Sequence, residues 1–303
     1  MEKILIDGNS VGYSNHCGAK LTVGTFQTQA IFGFIKSMRA LRLENPDCSD
    51  LVLWDGVAQW RYDLYPGYKA DRDKDPTQAL MRENYKKARP FIYKALDYLG
   101  VRQLTVTSAE ADDMAGLLSK SLSVNNKVTL VSGDKDWLGL VNENCGWFDP
   151  IRNTKVSHRN FYEFTGYPTG KAFYEGKALM GDTSDKINGV GGIGEKSAPV
   201  FLAQFGSVAE FLRQVDSGEY VPKKKVEQNF ALNTGEPTDG RAIFTRNHKL
   251  MNLLDVPKPA PEDVQYSKPM YDKEKFRFIC ERMNFASILA NFDNFVRPFS
   301  EGN

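Results

Sequence analysis

The sequence predicts an α/β fold, with a mostly parallel central sheet flanked by helices and a helical C-terminal domain after it. Three observations predict it. Short apolar, β-branched runs alternate with amphipathic stretches through residues 3–158, the pattern of βαβ units. Beyond about residue 160 the strand pattern stops, while helical spacing continues between Gly and Pro turns. Several of the strand-like runs end on a carboxylate, and open α/β sheets bind ligands at the carboxyl ends of their strands.

Taken in order, KILIDG (3–8) is a buried strand stopped by Asp-Gly. Residues 24–44 carry Phe26, Ala30, Phe34, Ile35, Met38 and Leu41 at helical spacing, closed by Pro46. DLVLWDG (50–56) repeats the strand that ends in Asp-Gly. A charged, turn-rich piece (61–78) precedes a long helix, 77–99, capped by Gly100. VRQLTV (101–106) is a strand, 108–123 a helix and KVTLVS (127–132) a strand, and a short helix follows Asp136. CGWFDP (145–150) is a fifth strand and KVSH (155–158) a short sixth. Helical stretches then occupy 158–166, 168–180, 195–204, 206–216, 238–252 and 271–292, and the last is expected to pack back on the sheet. Mobile connections are expected around Pro222 to Lys225 and from Thr234 to Gly240. The domains divide as 1–165 and 166–303.

Composition narrows the chemistry. Four cysteines without a CxxC pair argue against a zinc knot and for reduced thiols in a cytoplasm. Three scattered histidines argue against a histidine metal site or a Ser/His/Asp triad. The start carries no signal-peptide pattern, and no later run is long enough to span a membrane. Net charge is +1, yet setting nine acids aside as metal ligands leaves 39 basic against 29 acidic residues, a basic body around an acidic hole.

Those acids are Asp7, Asp55, Glu110, Asp112, Asp113, Asp134, Asp136, Asp182 and Asp185. Each has a plain reading by itself. Glu110 sits three residues after Thr107, a capping-box spacing. Asp136 suits an N-cap, Asp7 and Asp55 suit Asp-Gly turns, and Asp182 and Asp185 suit a polar turn after Gly181. Together they need more. Asp112 and Asp113 lie inside an apolar helix, and like charges this close repel unless a cation sits among them. Oxygen ligands without His or Cys select Mg²⁺ or Mn²⁺. Nine acids exceed the one or two carboxylates that one Mg²⁺ takes, so two ions are expected, some held through water. Such a pair activates water and stabilises the leaving oxygen of a phosphodiester.

INGVGGIGEKSA (187–198) matches GxGxxG formally, but no strand precedes it, so it is not a dinucleotide fingerprint. It fits a hairpin between helices in which Gly189, Gly191, Gly192 and Gly194 let backbone N–H groups approach a phosphate, with Lys196 adding a charge. A glycine-rich turn without a ligand remains the plain alternative. Tyr68, Lys69 and Arg72 lie in a charged loop. Beside an acidic phosphodiester site such a loop offers cations for non-bridging oxygens and an aromatic face for a terminal base.

LIDGN, LWDG, RYDLYPGYKADR, AEADD, SGDKDW, GDTSDKINGVGGIG and RFICERMNFASIL stand in one order from Ile4 to about Phe292. In that ordered set the chain resembles the 5′-nuclease superfamily: phage 5′-exonucleases, flap endonucleases and the 5′-nuclease domain of bacterial DNA polymerase I. The resemblance implies a PIN-like nuclease core, with an arch over about 61–100. It also implies a helix-three-turn-helix at about 182–205 that grips duplex DNA and holds a K⁺ ion. It assigns Asp7, Asp55, Glu110, Asp112 and Asp113 to a first metal cluster and Asp134, Asp136, Asp182 and Asp185 to a second. Lys69 and Arg72 match residues that contact the scissile phosphate, and Tyr68 the neighbouring aromatic. Where the family often has Asn-Ile-Pro-Gly, this chain has Lys186-Ile187-Asn188-Gly189. The length leads to the expectation of a free-standing nuclease, and a monomer is expected. The expected activity is Mg²⁺-dependent 5′-3′ exonuclease or flap endonuclease action in replication, with RNA–DNA hybrid as a further substrate. A catalytically inactive DNA-binding scaffold and a PIN-like ribonuclease are the other classes this sequence admits.

Overall fold

The computed structural model describes residues 2–70 and 74–300. Arg72 lies outside the described residues. In chain order the first half is β1 (Lys3–Asp7), α1 (Gly8–His16), β2 (Thr22–Val23), β3 (Phe26–Gln27), α2 (Gln29–Glu44), β4 (Ser49–Trp54), α3 (Gln59–Leu64), α4 (Pro76–Tyr98), β5 (Gln103–Val106), α5 (Ala111–Leu122), β6 (Val128–Val131), a 3-10 turn (Lys135–Leu140), β7 (Cys145–Asp149) and β8 (Thr154–Val156). The second half is α6 (Phe161–Thr165), α7 (Gly170–Met180), the small pair β9 (Gly181–Asp182) and β10 (Ile187–Asn188), α8 (Ser197–Phe205), α9 (Val208–Asp216), α10 (Lys225–Ala231), α11 (Gly240–Met251), β11 (Val264–Tyr266), α12 (Lys273–Arg282), α13 (Ala286–Leu289) and α14 (Phe292–Ser300).

The main sheet has the order β11-β5-β4-β1-β6-β7-β8. β5, β4, β1, β6 and β7 run parallel, and the edge strands β11 and β8 antiparallel. The alternation of side chains along β1 builds two cores. Leu5 joins Leu53, Leu130 and Trp137 on one face, continuous with Tyr174, Phe201, Phe211 and Phe230 of the helical half. Ile4 and Ile6 join Phe34 of α2, Ile92 and Leu96 of α4, and Phe276, Phe292 and Phe299 from the last helices on the other. Arg39 on α2 donates to the Phe295 carbonyl at 3.2 Å, tying the chain end to the opening βαβ unit.

The differences from the sequence expectations have local causes. α1 was not expected, because GNSVGYSNH is rich in turn-forming residues. Its N-cap Asp7 accepts from Ser10 N at 2.8 Å, and packing against α2 supplies what propensity lacks. The expected helix 24–44 loses its first turn to the β2–β3 hairpin. Part of the charged piece 61–78 becomes α3, whose one buried side chain is Arg61. The basic stretch at Pro222 to Lys225 leads into α10, and 271–292 breaks into separate helices. β11 is too short to show periodicity and is held by pairing with β5. The four cysteines are free. Among the described residues no helix is long and apolar enough to cross a membrane.

Candidate active site

The parallel strands end at one edge, and their last residues wall a cavity of about 560 Å³ lined by Asp7, Asp55, Lys69, Asp112, Asp134 and Arg152 among others. Asp7 closes β1, Asp55 follows β4, Asp112 opens α5 after β5, and Asp134 follows β6. Short hydrogen bonds fix this wall. Ser132 Oγ donates to Asp7 at 2.8 Å, Gly133 N donates to Ser10 Oγ at 3.0 Å, and Ala111 N donates to Asp55 at 2.8 Å. The buried Trp137 indole donates to Asp112 at 2.7 Å.

These carboxylates are held against their own charge. Burial, then the charge of Asp55, raises Asp7 to about 7. Enclosure, then Asp134, Asp7 and Asp55, raises Asp112 well above the usual carboxylate range. Enclosure and Asp136 raise Asp134 to about 6, and enclosure raises Asp55. Hard oxygens that repel one another across a solvent-open cavity form a donor set that suits a hard divalent cation. Among the described residues, no three His, Cys, Asp or Glu side chains are gathered closely enough to hold an ion by themselves, so water would complete the coordination.

Glu110 and Asp113 are placed differently from the expectation. Asp113, 1 % exposed, receives Arg61 Nη2 at 2.6 Å and Nη1 at 2.8 Å, and accepts the Glu110 N–H at 2.9 Å. It is the N3 partner of a cap formed by Glu110, and it does not line the cavity. The capping box is therefore Glu110–Asp113, while the Thr107 hydroxyl bonds Asp263 at 3.1 Å. Glu110 receives Lys69 Nζ at 2.5 Å, Tyr68 Oη at 2.9 Å and Arg61 at 3.3 Å. Burial works to raise its pKa, but Lys69 and Arg61 outweigh it and the net shift is downward. These two acids form a neutralised layer behind the cavity wall. Tyr68 belongs to that layer too. At 5 % exposure it offers no face to a base, and it holds Glu110 instead.

Asp134, Asp136, Asp182 and Asp185 form the second group. Asp134, not Asp136, caps the 3-10 turn, accepting from Asp136 N at 2.8 Å. Asp182 holds its own turn, accepting from Ser184 N at 2.8 Å and Asp185 N at 3.2 Å. Lys177 on α7, which the sequence reading missed, pairs with Asp136 and reaches Asp182 at 3.4 Å. Burial works to raise Asp182, but Lys177 and Ser184 outweigh it and lower the carboxyl.

The basic loop meets the first acidic region through the Lys69 and Tyr68 side chains and the second through the chain around Asp185. Lys69, at φ 54, donates its N–H to the Asp185 carbonyl at 2.9 Å. Tyr65 Oη donates to the Lys186 carbonyl at 3.2 Å, and Arg246 stacks 4.3 Å over the Tyr65 ring while donating to the Asn188 carbonyl at 3.3 Å. A left-handed lysine held this way is a strained residue at a functional junction. Arg61, Lys177, Tyr65 and Arg246 had no local signal. The available one was charge accounting, since buried acids require buried cations.

The glycine hairpin joins α7 to α8 through β9 and β10. Gly189 passes against the Met180 carbonyl with no room for a Cβ, and Gly192 takes φ 89. Gly191 and Gly194 are exposed with open space around them, and exposed Lys196 is the residue before α8. Ser197 Oγ accepts the Gly194 N–H at 2.9 Å.

The comparisons with known proteins fit this geometry. Residues 2–166 match the 5′-3′ exonuclease N-terminal resolvase-like domain, and residues 169–253 match the 5′-3′ exonuclease C-terminal SAM fold. The chain belongs to the 5′-3′ exonuclease family. It is 28 % identical over 306 residues to DNA polymerase I of Streptococcus pneumoniae, covering 94 % of this chain and 33 % of that protein. It thus spans about a third of the length of the polymerase relatives it matches. The T5 D15 protein co-crystallised with metal ions superposes with a TM-score of 0.69 at 22 % identity, covering 99 % of each chain. A bacteriophage T5 D15 flap endonuclease complex with DNA and metal ions gives the same TM-score at 21 % identity, over 99 % of this chain and 98 % of that one. The fold is that of these nucleases, a mostly parallel sheet with a helical second half.

Proposed function

We propose that this chain is a divalent-metal-dependent nuclease that hydrolyses DNA phosphodiesters near a 5′ end. The observation that carries the reading is the set of four carboxylates, Asp7, Asp55, Asp112 and Asp134, delivered by four strand ends to one open cavity that Lys69 also lines. Mg²⁺ is the expected ion, with Mn²⁺ able to replace it, and two ions would supply an activated water and neutralise the leaving oxygen.

The chain's own residues do the rest. Asp7, Asp55 and Asp112 would hold the first ion, with the Ser132 and Trp137 donors fixing the rotamers of Asp7 and Asp112. Asp134, Asp136, Asp182 and Asp185 would hold the second. Glu110 and Tyr68 aim the Lys69 ammonium, which faces non-bridging phosphoryl oxygens as charge develops on them. Arg72 has the same proposed task. The exposed backbone of Gly191, Gly192 and Gly194, with Lys196, grips one strand of duplex by its phosphates, and K⁺ is proposed there. The contacts of Tyr65, Lys69 and Arg246 with residues 185–188 fix the distance from the duplex grip to the cavity. The proposed substrates are duplex DNA with a 5′ end, overhang or flap, and RNA–DNA hybrid. The proposed working form is a monomer, and the proposed role is primer or flap removal in replication.

The test is product sizing on 5′-labelled flap, nicked and blunt duplexes in Mg²⁺. Mononucleotides indicate exonuclease action and whole flaps endonuclease action. No cleavage of any of these in Mg²⁺ or Mn²⁺, or undiminished cleavage by Asp112→Asn, overturns the reading.

A further inference from the structure

Lys177 has no part in the cavity. Its side chain is 12 % exposed, its ammonium pairs with Asp136 and stands 3.4 Å from Asp182, and it does not line the wall formed by Asp7, Asp112 and Asp134. Burying a lysine is costly unless carboxylates compensate it, and here two acids from different elements do so. At Asp7 and Asp112 the hydrogen-bond donors are neutral, a backbone amide, a serine hydroxyl and an indole, while Arg61 and Lys69 pair with Asp113 and Glu110 behind them. A cation built into the protein therefore stands among the very carboxylates that the second divalent ion would need.

We propose that Lys177 is a resident cation of the second carboxylate group, and that a divalent ion enters this group only by displacing the ammonium from Asp136 and Asp182. This rests on the reading of the site as a two-ion nuclease centre. Entry of the second ion requires breaking the Lys177 pairs and placing two positive centres near one another, whereas entry at Asp7 and Asp112 relieves repulsion. The two ions consequently bind with well-separated affinities. A displaced ammonium needs a new acceptor, and a DNA phosphate provides one, so bound duplex narrows the gap.

The experiment titrates the full chain with Mn²⁺, reading bound ion by electron paramagnetic resonance, with Lys177→Met and Lys177→Arg beside the unmodified protein. The unmodified chain and Lys177→Arg should bind one ion and then a second at least about tenfold more weakly. Lys177→Met should close that gap by about tenfold or more, with first-ion affinity unchanged. A variant that fails to fold is bypassed by acetylating the unmodified protein and reading Lys177 by mass spectrometry. Its labelling should rise several-fold only at Mn²⁺ concentrations that fill the second position. Normal first-ion binding with an unchanged gap in Lys177→Met, or Lys177 labelling insensitive to Mn²⁺, overturns this inference alone. No Mn²⁺ binding by the unmodified chain overturns the two-ion reading and this inference with it.

Discussion

The two carboxylate groups at the sheet edge differ in what neutralises them. Around Asp7, Asp55 and Asp112 the donors include a hydroxyl, an indole and backbone amides, and burial and mutual repulsion hold the carboxyls above their usual range. Around Asp136 and Asp182 stands a buried lysine, and Asp182 is lowered. The same contrast separates adjacent residues, since Asp112 faces the cavity and Asp113 is locked by Arg61. Carboxylates left in repulsion favour a cation directly, while carboxylates already paired with a lysine or arginine must first lose that pair.

The largest effect should separate Asp112 from Asp113. Asp112→Asn should lower single-turnover cleavage in Mg²⁺ by roughly three orders of magnitude or more, with duplex binding in Ca²⁺ retained. Asp113→Asn should instead lower folding stability, measured by urea denaturation, by about 3–5 kcal/mol, because Arg61 loses its two-bond carboxylate partner inside the protein. Equal kinetic defects with equal stabilities would erase the distinction.

Lys69→Ala should come next, lowering cleavage by about 10²–10³-fold while duplex affinity in Ca²⁺ changes little. A defect confined to affinity would place Lys69 in binding alone.

The metal-free protein should show the contrast in its pH dependence. Asp7 is raised from 3.8 to about 7, so its contribution favours the fold at low pH and is lost as pH rises through about 7. Asp182 is lowered, so its contribution is present above 3.8 and is lost as pH falls through its depressed folded value. In EDTA, Asp7→Asn should therefore be more stable than the unmodified chain at pH 8 by on the order of 2 kcal/mol, and the difference should vanish near pH 4. Thermal melts at both pH values check this, and a difference independent of pH would remove the repulsion account of the first group.

The smallest effect concerns the hairpin. Lys196→Ala should weaken duplex binding modestly and flatten the salt dependence by about one unit of slope. An unchanged slope would remove Lys196 from the phosphate contacts.

Much of the fold was legible because its signals are local. β1, β4, β5, β6 and β7 each read as apolar runs, and the end of α4 was marked by Gly100, which follows its C-cap Leu99 at positive φ. α1 and β11 were not, since polar, glycine-rich or very short segments take their structure from what they pack on. At the site, the gathering of Asp7, Asp55, Asp112 and Asp134 followed from strand order. The resemblance grouped Glu110 and Asp113 with them and offered Tyr68 as an aromatic face beside the basic loop. Arg61 and Lys69 draw those three into an ion-paired layer instead.

By itself, then, the sequence determined that a parallel sheet would carry acids to one edge and that a glycine hairpin would follow, because periodicity, turn chemistry and strand-end position are properties of short stretches. Only the tertiary structure decided which acids keep their charge unmatched. Arg61 reaches Asp113 across 52 residues and Lys177 reaches Asp136 across 41. Coulomb pairing depends on distance in space, and that distance exists only once the sheet and the helical half have packed.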